Sequence, residues 1–180
     1  MANDSPALYR IFFYDCPPLT KKLHYPVSKK PLDMSKTPTA QFRLAVHEEL
    51  RKTRKVALRL GRLSDLSSWK LSGDATRRLI QAPASFQPMD SDFDIDTKQK
   101  GVDMRLGLDV AALAFKQQVR QIILVAADED FVAAVKLARR EGIDVVLDAM
   151  GGPAAKDLLF HSDGVRNCRM PSSRPPNRAV

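Results

Sequence analysis

The chain has 180 residues, 44% hydrophobic, 28% charged and 7% aromatic, which is enough to bury one good core and thin for two, so one main domain is expected. Lysine and arginine number 29 against 21 aspartate and glutamate, and the formal charge of +8 points to a polyanionic partner. No stretch approaches the roughly eighteen consecutive apolar residues of a membrane span. Two cysteines, Cys16 and Cys168, are too few for a disulfide framework, and MANDSPALYRIFFY has no apolar run ahead of a cleavage site, so a soluble, reduced, cytoplasmic protein is expected.

The charge is unevenly spread: +3 for residues 1–40, +6 for 41–80, −2 for 81–100, −2 for 101–150 and +3 for 151–180. The first apolar segment, Ile11 to Tyr14, is short, β-branched or aromatic, and closed by Asp15, Cys16 and two prolines, which predicts a buried strand with Asp15 at its carboxyl end. Residues 17–40 hold five prolines and five lysines without apolar periodicity and read as one long basic loop. Thr39 is placed to cap a helix through Phe42, Val46 and Leu50, ending in the basic run Arg51, Lys52, Arg54 and Lys55. VALRL at 56–60 reads as a strand stopped by Gly61, and a short helix fits Ala75 to Ile80 within an otherwise weakly patterned segment, 64–98.

The second half is better patterned. Residues 103–117 carry apolar side chains around most of a helix's circumference (Met104, Leu106, Leu108, Val110, Leu113, Phe115), which predicts a largely buried helix. QIILVAA at 121–127 reads as a strand, 131–141 as a helix, IDVVL at 143–147 as a strand, 154–159 as a helix and 164–168 as a last strand. Strand, helix and strand at these lengths make a parallel βαβ unit, and continuous apolar strands suit a sheet covered on both faces. The expected fold is α/β, with RMPSSRPPNRAV as a flexible basic tail at 169–180.

In an open parallel sheet, ligands bind beyond the carboxyl ends of the strands. Asp15 ends the first strand, Asp128 and Asp130 follow QIILVAA, and Asp103 opens the helix before it. Carboxylates gathered at such an edge repel one another and raise their own pKa values unless a cation neutralises them, which suits a divalent-metal site. Oxygen-only ligands select Mg²⁺ or Mn²⁺. Simple helix capping by Asp103, Asp128 or Asp130 is the competing explanation for each acid. Asp109, six positions after Asp103, sits on another helix face and reads as a hydrogen-bonded acid outside the metal site; Asp90, Asp92, Asp94 and Asp96 read as a solvated acidic loop. His24, His47 and His161 are too scattered for a metal site, Cys16 beside Asp15 is a poor nucleophile, and Trp69 reads as a packing residue.

The stretches QKGVDMRLGLDVAALA at 99–114 and IILVAADEDFVAAVKLARREGIDVVLDAMG at 122–151 resemble the NYN-domain branch of the PIN-like metal-dependent ribonucleases, with weaker support from YRIFFYDCPPL at 9–19 and VALRLGRL at 56–63. The family pattern of an Asp ending the first strand, a VD pair opening the middle helix and a small-small-D-x-D-F strand end falls on Asp15, Asp103, Asp128 and Asp130 with Phe131. The chain departs from it at Cys16, Pro17 and Pro18, where an Asn is common, and at Glu129, where Ser or Thr is usual.

The resemblance implies a three-layer, Rossmann-like (PIN-like) domain over residues 1–168 with a central, mainly parallel sheet. It also implies a metal-dependent endoribonuclease whose Asp15, Asp103, Asp128 and Asp130 hold Mg²⁺ or Mn²⁺ for attack on an RNA phosphodiester, leaving 5′-phosphate and 3′-hydroxyl ends. Lys100 is then placed to touch a phosphate, and Arg51, Lys52, Arg54 and Lys55 to track the backbone of single-stranded RNA. Two other functions share the fold: a catalytically silent RNA-binding adaptor and a metal-dependent phosphohydrolase.

Overall fold

The structure is a computed structural model that describes residues 7–64 and 68–168; the expected tail at 169–180 lies outside the described residues. The chain falls into two compact units, one up to Arg105 and one from Leu106.

In the first unit, β1 (Ile11–Asp15) pairs in parallel with β4 (Val56–Leu60), in the register Ile11 with Val56 and Asp15 with Leu60. The connection between them contains the first correction. The expected loop at 17–40 holds a hairpin, β2 (Lys22–His24) against β3 (Pro31–Asp33) with Leu23 opposite Leu32, followed by a 3-10 turn at Met34–Lys36. Strands of three residues show no periodicity, so only the cross-strand leucine pair marks them.

Helix α1 (Pro38–Lys52) begins two residues earlier than expected. Thr37, not Thr39, is the cap: its hydroxyl accepts from the Ala40 N–H at 3.3 Å, and Pro38 takes the first helical position, where a missing N–H costs nothing. The buried side of α1 is also rotated from the expected one. Ala40 and His47 are buried while Phe42 is 70% exposed.

Further along, β5 (Arg62–Leu63) pairs with β8 (Gln99–Lys100), and β6 (Ser68–Leu71) with β7 (Phe93–Asp96), both antiparallel. The expected short helix is α2 (Gly73–Gln81), capped by the Ser72 hydroxyl. Three of the four alternating aspartates are structural rather than a solvated loop, while Asp94 is exposed. Asp90 accepts from the N–H groups of Val27 and Ser28, buried Asp92 accepts from the Met89 N–H and pairs with Arg78, and Asp96 pairs with Lys70 at 3.2 Å. Trp69 packs as expected, its ring 6.1 Å from that of Tyr25 and its N–H donated to the His24 carbonyl.

Helix α3 (Val102–Phe115) spans the boundary between the units. In the second unit, β9 (Gln121–Val125), β10 (Asp144–Asp148) and β11 (Gly164–Arg166) form an all-parallel sheet in the order β11, β10, β9. A 3-10 turn at Glu129–Phe131 leads into α4 (Val132–Arg140), and α5 (Lys156–Phe160) precedes β11. These elements match the expected order, strand by strand and helix by helix.

Leu106 and Val110 of α3, and Ala134, Val135 and Ala138 of α4, meet Ile122, Leu124 and Val145 around a void of about 10 Å³, too small for a bound molecule. Both helices thus cover one face of the sheet. Two-sided burial is not what the described residues show: Ile123 and Val125, on the other face of β9, are 43% and 56% exposed. Likewise α3 is buried along Leu106, Val110, Leu113 and Ala114, while Met104, Leu108 and Phe115 are exposed, so it is not the all-round buried helix expected.

Candidate functional site

Asp15 stands where expected, at the carboxyl end of β1, but its carboxylate is already engaged by two side chains of α1. Arg43 Nη2 donates to Oδ1 at 2.5 Å, and His47 Nε2 lies 2.7 Å from Oδ2. Arg43 and His47 are four residues apart on α1 and so share a helix face, and the same Arg43 nitrogen donates to the Cys16 carbonyl at 2.6 Å. Burial pushes the Asp15 pKa up, but the hydrogen bonds from Arg43 and His47 outweigh it and hold the carboxyl below its usual range. His47 is 1% exposed. Its distance in sequence from the other histidines concealed this role, whereas the spacing of Arg43 and His47 on one face of the helix after β1 was the available signal.

The strand ends of the first unit are tightly knit. The Gly61 N–H donates to the Asp15 carbonyl at 2.8 Å, and a Cβ at Gly61 would lie 2.7 Å from both the Lys100 carbonyl oxygen and Val102 Cγ2. A side chain there would drive Lys100 and the start of α3 away from the end of β1. Cys16 is fully buried against this junction, and burial raises its thiol pKa, which agrees with the expectation that it is no nucleophile. Asp103 lies exposed in the first turn of α3, next to this junction in sequence, and Lys100 is exposed on β8.

The RKTRK run lies elsewhere. It leads into the amino end of β4, and the five-residue pair β1–β4 separates it from the Asp15 end by about 13 Å of strand. Arg51 and Lys52 pair with Glu48 and Glu49 on the solvated face of α1, and Lys55 Nζ donates to the Leu8 carbonyl. These are contacts of an exposed helix end, remote from the strand end that carries the acid.

In the second unit, Asp128 and Asp130 follow β9 and are exposed. Asp128 also caps the 3-10 turn, its Oδ1 accepting from the Asp130 N–H at 3.3 Å, so capping and an open carboxylate coexist in one residue. The Ala127 carbonyl accepts from the Ala155 N–H at 3.0 Å, which brings the loop after β10 across to the end of β9.

Asp148, absent from the sequence-based candidates, ends β10 in register with Val125 and is 1% exposed. Its Oδ1 accepts from the N–H groups of Met150 at 3.0 Å and Cys168 at 3.3 Å, and its Oδ2 from Arg166 Nε at 2.9 Å. The Met150 N–H, acting against burial and aided by Cys168 and Arg166, lowers its pKa from 3.8 to about 2. The strand-end rule that selects Asp15 and Asp128 selects Asp148 equally well.

Fit to a divalent ion differs among these residues. Asp103, Asp128 and Asp130 are exposed carboxylates whose oxygens suit a hard cation. Both Asp15 oxygens are already engaged, Oδ1 by Arg43 and Oδ2 by His47. Among the described residues, no group of three or more His, Cys, Asp or Glu side chains is gathered as a metal cage. A concavity of about 520 Å³, lined by Arg139, Arg140, Gly142, Ile143, Asp144 and Asp163, opens at the amino end of β10, the edge opposite Asp148.

The second unit is thus a parallel α/β arrangement with acids at the carboxyl ends of its strands. The family model of the NYN domain matches residues 33–164, more than two thirds of the chain, and the chain belongs to the NYN-domain family. The matched span contains Asp103, Asp128, Asp130 and Asp148, with Arg43 and His47, and leaves out Asp15. NYN domains are generally ribonucleases and typically use divalent metal ions, so the family sets a nuclease-like, RNA-related class. Comparisons with curated proteins and with solved structures find no match. Among the described residues no helix is long and apolar enough to cross a membrane.

Proposed function

We propose that the chain is a metal-dependent endoribonuclease acting on single-stranded RNA, built on one central, mainly parallel sheet of the three-layer PIN-like kind. The observation that carries the reading is the pair Asp128 and Asp130, exposed at the carboxyl end of a parallel strand inside the span matched by the NYN family. Asp103, Asp128 and Asp130 would hold Mg²⁺ or Mn²⁺, which supplies water activation and charge neutralisation at the scissile phosphate. Asp15 takes part as the anchor of Arg43 and His47. Lys100, exposed ahead of α3, donates to an RNA phosphate, and the RKTRK run meets the backbone only on a longer substrate.

Cleavage of a single-stranded RNA in Mn²⁺, abolished by chelator, is the expected result. Asp128→Asn should abolish cleavage and largely spare RNA affinity; a fully active variant would remove Asp128 from the ion's ligands. The engagement of both Asp15 oxygens by Arg43 and His47 favours a second reading, a catalytically silent RNA-binding module, for which salt-sensitive binding without cleavage is the outcome. A small-molecule phosphohydrolase would instead lose its activity to competing nucleotides rather than to RNA.

A further inference from the structure

We infer that Arg166 is a phosphate-binding residue for the RNA backbone, locked in place by buried Asp148 on the strand edge that also presents Asp128 and Asp130. The inference rests on the nuclease reading and adds a specific residue of substrate recognition to it. Asp148 is 1% exposed while the Arg166 side chain is 45% exposed, so the ion pair runs from the interior to the surface. A carboxylate buried this deeply persists only when its oxygens are satisfied, and three N–H groups meet it. Arg166 uses only Nε for this bond, and among the described residues neither Nη nitrogen has a partner. Its remaining donors form the planar fork that matches a phosphate.

Position supports the same conclusion. Val125, Asp148 and Arg166 stand in register across the three parallel strands, so Arg166 is two strand spacings, about 10 Å, from the end of β9. The loop carrying Ala155 ties that end to the region after Asp148. A cation held beside an acidic edge would seat a phosphate neighbouring the one attacked at Asp128 and Asp130 and set its register. An arginine present only to neutralise Asp148 would leave RNA binding unchanged when replaced.

The test uses the full chain and a fluorescein-labelled single-stranded oligouridylate, bound in the presence of chelator across a series of salt concentrations. Arg166→Gln should weaken binding about tenfold, the value of one charge-assisted hydrogen bond. It should also make the slope of log K against log salt shallower by about 0.7, the loss of one phosphate contact. Arg140→Gln, at the opposite edge and 72% exposed, removes the same charge and should have a smaller effect on both. Should Arg166→Gln fail to fold with Asp148 stranded, Asp148→Asn/Arg166→Gln keeps a neutral hydrogen-bonded pair and should show the same losses. Wild-type affinity and slope in the folded variant, or losses no larger than those of Arg140→Gln, would overturn the inference. Manganese-dependent cleavage by the unaltered chain is scored separately. Absence of cleavage with the Arg166 effect intact sinks the nuclease reading alone, and cleavage with Arg166→Gln unaffected sinks the phosphate role alone.

Discussion

Asp15 and Asp148 end two different parallel strands, and each is held by an arginine supplied by a neighbouring element, Arg43 from α1 and Arg166 from β11. The consequence for stability has a definite sign. A carboxyl whose pKa is depressed by folding stabilises the folded chain above its ordinary value and loses that contribution as pH falls through the folded value. For Asp148 the window runs from 3.8 down to about 2, and Asp15 is shifted in the same direction. Urea unfolding midpoints should therefore hold steady in acid down to about pH 4 and fall below it. Asp148→Asn should flatten that fall, and identical profiles for the variant and the natural chain would contradict the assignment. Gly61 supports a second expectation at this scale. Gly61→Ala sets a methyl against the Lys100 carbonyl and Val102, and should cost about 1–3 kcal/mol in denaturant unfolding, with Lys100 and the start of α3 displaced.

At the scale of elements, the strands and helices of the second unit were legible to within a few residues. QIILV and DVVLD are long apolar runs, and α4 follows an acidic turn that fixes its start. The hairpin of β2 and β3 and the pair β6–β7 were not legible, since strands of three or four residues take their stability from cross-strand partners far along the chain. The start of α1 shows how a cap is decided. Thr37 and Thr39 both flank Pro38, but only Thr37 precedes the proline that opens the helix, and it is Thr37 that accepts from the Ala40 N–H. Thr37→Ala should lower stability by about 1 kcal/mol, whereas Thr39→Ala, on the exposed side, should change it by less than about 0.5 kcal/mol. Equal losses measured by thermal unfolding would return the cap to Thr39.

For the whole molecule, the excess of cations foreseen from composition is distributed in two ways that composition cannot separate. Some are committed to holding acids, as Arg43, Arg78 and Arg139 do, while Arg166 holds Asp148 through Nε alone. Others, such as Arg51 and Lys52, form exposed pairs within one helix. A count of +8 therefore forecasts the sign of a partner but not where it binds.

The amino-acid order alone determined the alternation of strands and helices in the second unit, the family to which the chain belongs, and the acids that follow apolar strands, because apolar periodicity and strand-end chemistry are local properties. Folding alone decided which of those acids keep their charge available. Arg43 and His47 lie 28 and 32 residues from Asp15, and Arg166 lies 18 from Asp148. Separations of that length carry no periodic signal, and a carboxylate's charge is balanced by whichever cation packing brings within hydrogen-bonding distance.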